Sequence, residues 1–109
     1  GAGLGGTIMT YEMRDKLRRD DRLTVVTLGT SYSFVPSNPW IAVGWRERNY
    51  VTVDLEDVFK RRGIALRPEG AKKVHAKENR VELNDGSFVD YDYLIIATGP
   101  DLAFDEVPG

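Results

Sequence analysis

The first third of the chain has the hydrophobic pattern of a helix followed by a buried strand. Across residues 4–19, apolar residues recur every three or four positions and charged residues lie on the opposite side, as in an amphipathic helix. Residues 23–28 then have a Thr-Val-Val-Thr centre, whose β-branched residues favour a strand. We expect core packing at the apolar helix positions, which are Leu4, Ile8, Met9, Tyr11, Met13 and Leu17.

Two prolines determine the backbone of the next segment, residues 31–45. Pro36 and Pro39 favour an extended or turned chain over a regular helix through the segment. The aromatic residues around them are too apolar for an idle surface loop. Two interpretations stand: the wall of a pocket for a flat ligand, with Ser37 and Asn38 as polar contacts, or a loop that packs its aromatic residues under the domain.

The second half of the chain predicts one more helix and then antiparallel β structure. The helix spans residues 54–62, is capped by Thr52 or Asp54, and has Gly63 as a left-handed residue at its end. The predicted strands are residues 64–67, 72–77, 80–83 and 88–91, and turns at residues 78–79 and 84–87 join the last three.

The last apolar run, residues 93–97, is uninterrupted and precedes Thr98, Gly99 and Pro100. Such a run is typical of a parallel strand covered on both faces, and open α/β sheets bind ligands at the carboxyl ends of their strands. We therefore expect Thr98 and Gly99 to lie at the same edge as the glycines that begin the chain. Residues 101–109 are predicted to form a loop that leaves the domain.

Gly1, Gly3 and Gly6 have the G-x-G-x-x-G spacing of a dinucleotide-binding turn. In such a turn the first glycine makes the bend, the second admits the phosphate, and the third lets helix and sheet pack closely. The N–H groups of the following helix then point at the phosphates. The apolar strand that normally feeds the first glycine is absent from the sequence. We interpret the chain as part of a longer protein, and expect the isolated piece to self-associate or borrow a strand.

An acidic residue that binds the adenosine ribose normally follows about 20 residues after such glycines. Here Gly29, Thr30 and Ser31 occupy that place, with no carboxylate. A hydroxyl of Thr30 or Ser31 is the candidate replacement, and a plain turn that leaves the strand is the alternative.

Composition and charge exclude several classes of function. The net charge of −2 gives no reason to expect nucleic acid as a partner. The absence of cysteine excludes a disulfide, a thiolate metal site or a redox thiol within these residues. His75 has no neighbouring metal-ligand or carboxylate cluster in the sequence, so we predict a non-catalytic histidine and no metal site. Lys72 and Lys73 are predicted to face solvent.

Two motifs together resemble the FAD-contacting motifs of the two-dinucleotide-binding-domain flavoproteins. This group includes pyridine nucleotide-disulfide reductases, type II NADH dehydrogenases and sulfide:quinone oxidoreductases. The motifs are Gly-Ala-Gly-Leu-Gly-Gly at residues 1–6 and Tyr-Asp-Tyr-Leu-Ile-Ile-Ala-Thr-Gly-Pro at residues 91–100. Within the group, residues 34–45 and residues 99–104, Gly-Pro-Asp-Leu-Ala-Phe, most closely resemble bacterial sulfide:quinone oxidoreductases.

The resemblance implies an α/β fold: residues 1–109 would form part of a Rossmann-like FAD-binding domain, truncated at its first parallel strand, with a small antiparallel β-meander. It implies FAD as cofactor, sulfide and a membrane quinone as substrates of the whole enzyme, and peripheral membrane association in a bacterium. The catalytic cysteines would lie outside this chain, so no catalytic residue is assigned. The implied FAD contacts are Gly1, Ala2, Gly3, Leu4, Gly5, Gly6, Thr30, Pro36, Ser37, Asn38, Val74, Ala97, Thr98, Gly99 and Pro100.

Two other functions fit the same residues. A type II NADH:quinone dehydrogenase would use FAD in the same way but would take its electrons from NADH. A non-catalytic nucleotide-binding or interaction module would keep the fold without the chemistry, in line with the missing carboxylate after residue 28.

Overall fold

The computed structural model describes residues 1–101 and 103–106, in which short helices and strands alternate. The helices are α1 (Leu4–Lys16), α2 (Asn38–Ala42) and α3 (Leu55–Arg61). The strands are β1 (Thr24–Val26), β2 (Ser31–Ser33), β3 (Thr52–Asp54), β4 (Ala65–Arg67), β5 (Ala71–His75), β6 (Arg80–Leu83) and β7 (Phe88–Asp90). Single 3₁₀ turns lie at Val35–Ser37, Arg48–Val51, Ala76–Glu78 and Phe104–Glu106.

Three small sheets form from these strands. Strands β1 and β4 pair in parallel with Val25 opposite Leu66, and α3 packs against β4. Strands β2 and β3 form an antiparallel pair, and β5, β6 and β7 form an antiparallel meander in that order. The predicted meander is therefore confirmed, and the strands predicted at residues 23–28 and 64–67 both form, paired with each other in parallel. Neither β2 nor β3 was predicted from the sequence, because each three-residue strand depends on pairing with the other rather than on a local signal.

One apolar cluster lies between α1, β1, α3 and β4. Its buried members are Ala2, Val25, Leu55, Phe59 and Ile64, and Phe59 is fully buried. Tyr11 from α1 contributes a ring whose centre lies 6.3 Å from that of Phe59, in an edge-on arrangement. The start of the chain is thus attached to the core, because the side chain of Ala2 packs there.

The face of α1 that meets this core differs from the predicted one. Gly6 and Thr10 are its buried residues, whereas Leu4, Ile8 and Met9 are largely exposed. The expectation that these three residues pack in the core is wrong for this structure. The reason is that α1 packs through Gly6 against Gly1 and Ala97, and this close contact turns Leu4, Ile8 and Met9 outward.

The apolar run at residues 93–97 forms no strand within the described part of the chain. Ile95 and Ile96 are 51% and 70% exposed, and no strand pairs with the run. The prediction of a parallel strand covered on both faces is therefore wrong here. A strand needs a hydrogen-bonded neighbour. Among the described residues β1 pairs with β4, and no strand lies beside residues 93–97 to pair with them. Of the loop predicted after this run, residue 102 and residues 107–109 lie outside the described residues.

The proline-containing segment is turned at residues 35–37, as predicted, but it also contains the five-residue helix α2. Pro39 lies in the first turn of α2. At that position the missing N–H costs nothing, because it would have no partner within the helix. The prolines thus exclude a helix through the segment and still permit one that begins there.

Arg67 connects the parallel pair to the meander. Its Nε lies 3.2 Å from the Glu69 carboxylate, and its terminal nitrogen donates a 2.7 Å hydrogen bond to Ser87 Oγ in the turn between β6 and β7. Asp85 in the same turn lies 3.9 Å from the guanidinium. One planar cation therefore holds the end of β4 beside a turn that is distant in the sequence.

The ends of α3 follow the predicted capping pattern. The side chain of Asp54 accepts a 2.9 Å hydrogen bond from the Glu56 N–H, and Gly63 has a φ of 65°. Of the two predicted caps, Asp54 is the one that forms, since the Thr52 hydroxyl donates instead to the Arg48 carbonyl oxygen at 2.9 Å.

We expect Asp54→Ala to lower the free energy of unfolding by about 1 kcal/mol, because the helix N-terminus then loses its side-chain acceptor. Asp54→Asn keeps an acceptor oxygen and should lose less. Urea unfolding followed by circular dichroism measures both variants. Equal stability of Asp54→Ala and the wild type would show that the hydrogen bond contributes nothing.

Candidate cofactor site

The glycine turn at the start of the chain packs directly against the segment at Ala97 and Thr98. A Cβ atom added to Gly1 would lie 2.4 Å from the Ala97 carbonyl oxygen and 3.1 Å from the Thr98 Cα. A Cβ atom on Gly6 would lie 2.0 Å from the Gly1 carbonyl oxygen. The contacts with the two carbonyl oxygens would be closer than real Cβ atoms come to other atoms, so backbone packing requires glycine at positions 1 and 6. The structure thus brings the two predicted cofactor motifs side by side.

Gly3 has a different environment, since a Cβ atom there would meet no atom within 4 Å. Gly3 is the N-cap of α1, with no side-chain cap, and the first turn of the helix contains no acidic residue. The open end of a 13-residue helix carries partial positive charge and unpaired N–H groups. The partial positive charge of the helix N-terminus and the free space at Gly3 therefore fit a pyrophosphate group.

Two threonines on α1 hold the turn from behind. Thr7 Oγ1 donates a 3.1 Å hydrogen bond to the Ala2 carbonyl oxygen, and Thr10 Oγ1 donates a 2.7 Å bond to the Gly6 carbonyl oxygen. The sequence reasoning did not single out these residues. A signal was available for Thr10, since a helical threonine can bond to the carbonyl four residues earlier, whereas Thr7 bonds to a carbonyl five residues earlier, outside the helix. The turn is consequently fixed before any ligand arrives.

The exit segment is accessible beside this turn. Ala97 is half-buried, whereas Thr98, Gly99 and Pro100 are exposed. Gly99 has a φ of 78°, a backbone conformation that favours glycine. The backbone therefore turns at Gly99, just after the residues that pack against the glycine turn.

Thr30 lies on a different segment, after the left-handed Gly29, whose φ is 76°. The Thr30 carbonyl oxygen accepts a 2.8 Å hydrogen bond from the Leu55 N–H, which connects the loop to the start of α3. Thr30 also borders a groove of about 550 Å³ along α3 and β4, together with Glu56 and Lys60. Glu56 is thus an acidic side chain that shares the groove with Thr30, although it lies far along the sequence.

Ser37 in the proline-containing segment is buried, whereas Pro36 and Asn38 are exposed. The Ser37 N–H donates to the Phe34 carbonyl oxygen at 2.9 Å. The Arg46 guanidinium lies 4.0 Å from the centre of the Trp40 ring, in a cation–π contact. Tyr32 of this segment packs against the core, whereas Phe34, Trp40 and Trp45 are 42%, 40% and 77% exposed.

Val74 lies on β5, where 40% of it is exposed. The neighbouring His75 is not isolated, because its Nε2 lies 3.0 Å from the Glu82 carboxylate on β6. Lys72 Nζ lies 2.6 Å from the same carboxylate. His75 therefore has one carboxylate neighbour that the sequence analysis did not identify, and its non-catalytic role stays a prediction. Hydrogen bonds from Lys72, and then from His75, hold the pKa of Glu82 below its usual value. Residue spacing hid this cluster, because antiparallel pairing brings the residues together.

Residues suited to two other kinds of site are absent from the described ranges 1–101 and 103–106. No group of three histidine, cysteine or carboxylate side chains is arranged to hold a metal ion. No described helix has the length and apolar character needed to cross a membrane.

Comparison with known proteins connects these features to a family of enzymes. Sulfide-quinone reductase of Aquifex aeolicus (strain VF5) is 34% identical over 104 residues, which is 95% of this chain and 24% of that protein. The X-ray structure of the sulfide:quinone oxidoreductase from Aquifex aeolicus superposes with a TM-score of 0.90 at 33% identity, over 95% of this chain and 24% of the solved one. The chain is a homologue of sulfide-quinone reductase.

Further relatives have related names. The mitochondrial sulfide:quinone oxidoreductase of Dictyostelium discoideum is 27% identical over 109 residues, 100% of this chain and 24% of that protein. The NADH-dependent phenylglyoxylate dehydrogenase subunit epsilon of Aromatoleum evansii is 36% identical over 89 residues, 80% of this chain and 21% of that protein. No family model matches the chain.

The likeness to sulfide-quinone reductase confirms the predicted fold class, a mixed α/β fold consistent with a truncated Rossmann-like FAD-binding domain. The chain spans between 21% and 24% of the length of these curated relatives. The relatives of this name come from a bacterium and from a eukaryote, so the expected bacterial origin stays a prediction.

We expect Gly6→Ala to lower the free energy of unfolding by about 3 kcal/mol, because its methyl group would overlap the Gly1 carbonyl. Gly5→Ala is the matched control, since it adds the same methyl group one position earlier in α1, with no atom within 4 Å. Alanine there should raise stability by up to about 1 kcal/mol through helix propensity. Urea unfolding of both variants provides the measurement, and equal effects would refute the packing role of Gly6.

Proposed function

We propose that this chain is the FAD-binding part, residues 1–109, of a sulfide:quinone oxidoreductase. The observation that carries the proposal is the packing of the Gly1 turn against Ala97 and Thr98, in a chain that is similar to sulfide-quinone reductase over 95% of its length. The two segments that contact FAD in flavoproteins of this kind would then hold a single elongated cofactor between them.

Each end of FAD has a candidate set of residues. Residues Gly1 to Gly6 would hold the pyrophosphate, with the open space above Gly3 and the uncapped α1 N-terminus as support. Thr30 would donate or accept a hydrogen bond at the adenosine ribose, and Val74 would face the adenine. Pro36, Ser37 and Asn38 would lie near the flavin or its ribityl chain, and of these Pro36 and Asn38 are exposed whereas Ser37 is buried. The remaining contacts would come from Ala97, Thr98, Gly99 and Pro100.

The cofactor supplies the redox chemistry when it is bound, since its flavin accepts two electrons and gives them to the next carrier. The residues of this chain would bind and orient it. This sequence contains no cysteine, so the cysteines that react with sulfide in such enzymes would lie elsewhere in the protein. We expect the isolated chain to show no sulfide oxidation, and expect peripheral membrane contact and quinone access through other parts of the protein.

A second candidate function has support from one relative. The Aromatoleum evansii protein is named as a subunit of an NADH-dependent dehydrogenase, and it is 36% identical over 89 residues. A type II NADH:quinone dehydrogenase would use the same FAD-binding residues with NADH as electron donor. A non-catalytic nucleotide-binding module is the third candidate, and it is supported by the absence of a carboxylate at Thr30.

Anaerobic stopped-flow spectroscopy of the intact, purified protein separates the three functions. We expect a yellow protein whose visible flavin absorbance is bleached rapidly by sulfide and slowly by NADH, because the enzyme class binds sulfide beside the flavin. Rapid bleaching by NADH alone would favour the second candidate. A colourless protein that takes up no added FAD would leave the non-catalytic module.

We expect Thr30→Val in the intact protein to weaken FAD binding about fivefold, since a neutral hydrogen bond contributes about 1 kcal/mol. The substitution removes the hydroxyl and preserves the shape of the side chain. Fluorescence titration of the flavin-free protein with FAD gives the affinity, and Ser31→Ala tests the other candidate hydroxyl in the same assay. Unchanged affinity in Thr30→Val would exclude Thr30 from the ribose site.

A further inference from the structure

Glu82 is the centre of an ion cluster on one face of the meander, and this cluster includes Lys72 and His75. The Lys72 Nζ and the His75 Nε2 lie 2.6 Å and 3.0 Å from different oxygens of the Glu82 carboxylate. An ionised carboxylate only accepts hydrogen bonds, so His75 Nε2 carries a proton in this contact. The side chains of Glu82 and His75 are 18% and 24% exposed, which shields both contacts in part from water.

A bulge in β5 makes the Lys72 contact possible. Ala71 is opposite Leu83 and Lys73 is opposite Glu82, so the register shifts between them and Lys72 is the extra residue. An extra residue re-aims the side chains around it. Lys72 therefore reaches the Glu82 carboxylate although Lys73 is the residue paired with Glu82 in the ladder.

The cluster also connects all three strands of the meander. The ring centre of His75 lies 5.9 Å from that of Phe88 on β7, at an angle of 60°. The Arg80 guanidinium lies 5.1 Å from the centre of the same Phe88 ring. Since β5 is an edge strand that is hydrogen-bonded to β6 alone, these side-chain contacts add to the forces that fix its position.

Val74 lies between Lys73 and His75 on this edge strand. Successive residues of a strand point to opposite faces, so Val74 faces away from the His75–Glu82 contact. Val74 is opposite Val81 in the ladder, and Val81 is buried whereas Val74 is 40% exposed. Val74 thus presents a fixed apolar surface whose backbone is held by the cluster on the other face.

We propose that Glu82, through Lys72 and His75, is a positioning residue for the adenine half of FAD. The carboxylate fixes the bulged edge strand β5, and β5 in turn holds Val74 against the adenine ring. The inference rests on the proposed function, because it takes Val74 as the adenine contact. It adds three polar residues to the site that touch no part of the cofactor themselves.

The test uses the intact protein freed of flavin and compares Lys72→Gln with Lys73→Gln. Both substitutions remove one lysine charge at neighbouring positions, but the contact with Glu82 belongs to Lys72. We expect Lys72→Gln to weaken ADP binding about fivefold in calorimetry, as the loss of a partly shielded ion pair does. Lys73→Gln should leave ADP binding unchanged. ADP is the probe because it contains the adenine half of FAD and no flavin.

Two further measurements separate positioning from a general structural role. Lys72→Arg keeps the cation and should restore ADP affinity, and the flavin absorbance spectrum after reconstitution with FAD should be the same in every variant. Glu82→Gln, which keeps the shape of the side chain, should weaken ADP binding at least as much as Lys72→Gln. If Lys72→Gln fails to fold, the ADP affinity of Glu82→Gln tests the positioning role instead.

Equal ADP affinities in Lys72→Gln and Lys73→Gln overturn the inference, as does a Lys72→Arg variant without recovery. A changed flavin spectrum in Lys72→Gln also overturns it, because the disturbance would then reach beyond the adenine end. If the intact wild-type protein binds neither ADP nor FAD, the proposed function itself is contradicted. Wild-type binding with unaffected variants removes only the positioning role.

Discussion

The rest of the structure depends on the close backbone contact among Gly1, Gly6 and Ala97. No side chain fits between these three residues, so the contact fixes the start of the chain against a segment near its other end. Ala2 then enters the core beside Val25 and Phe59, which links the turn to the parallel strand pair. The direction of α1 follows from this arrangement, and with it the direction of the unpaired N–H groups at its N-terminus.

The candidate site combines a rigid part and an exposed part. The glycine turn is held by core packing and by the hydroxyls of Thr7 and Thr10, so its geometry exists without a ligand. Binding at such a site loses little conformational entropy, because the backbone is already ordered. The proline-containing segment is different, since Trp45 and its aromatic neighbours are largely exposed. An exposed apolar surface of this kind is typical of a contact with another molecule or another part of the protein.

Local signals in the sequence predicted the features that depend on local physics. The cap at Asp54, the left-handed Gly63 and the three strands of the meander all follow from residue types within a few positions. The features that failed depend on partners in space. The run at residues 93–97 is apolar enough for a strand but has no paired neighbour among the described residues, and the exposure of Ile8 depends on which face of α1 packs against Gly1 and Ala97. The cluster around Glu82 depends on strand register, including a bulge that composition does not reveal.

The three glycines of the turn carry different kinds of information about descent. Gly1 and Gly6 are imposed by steric exclusion inside the polypeptide, so a relative that had lost its nucleotide would still retain them in order to fold. Gly3 has no such internal constraint, since a methyl group there would project into empty space. Substitution of Gly3 with retention of Gly1 and Gly6 would therefore indicate a lineage that kept the fold after losing nucleotide binding.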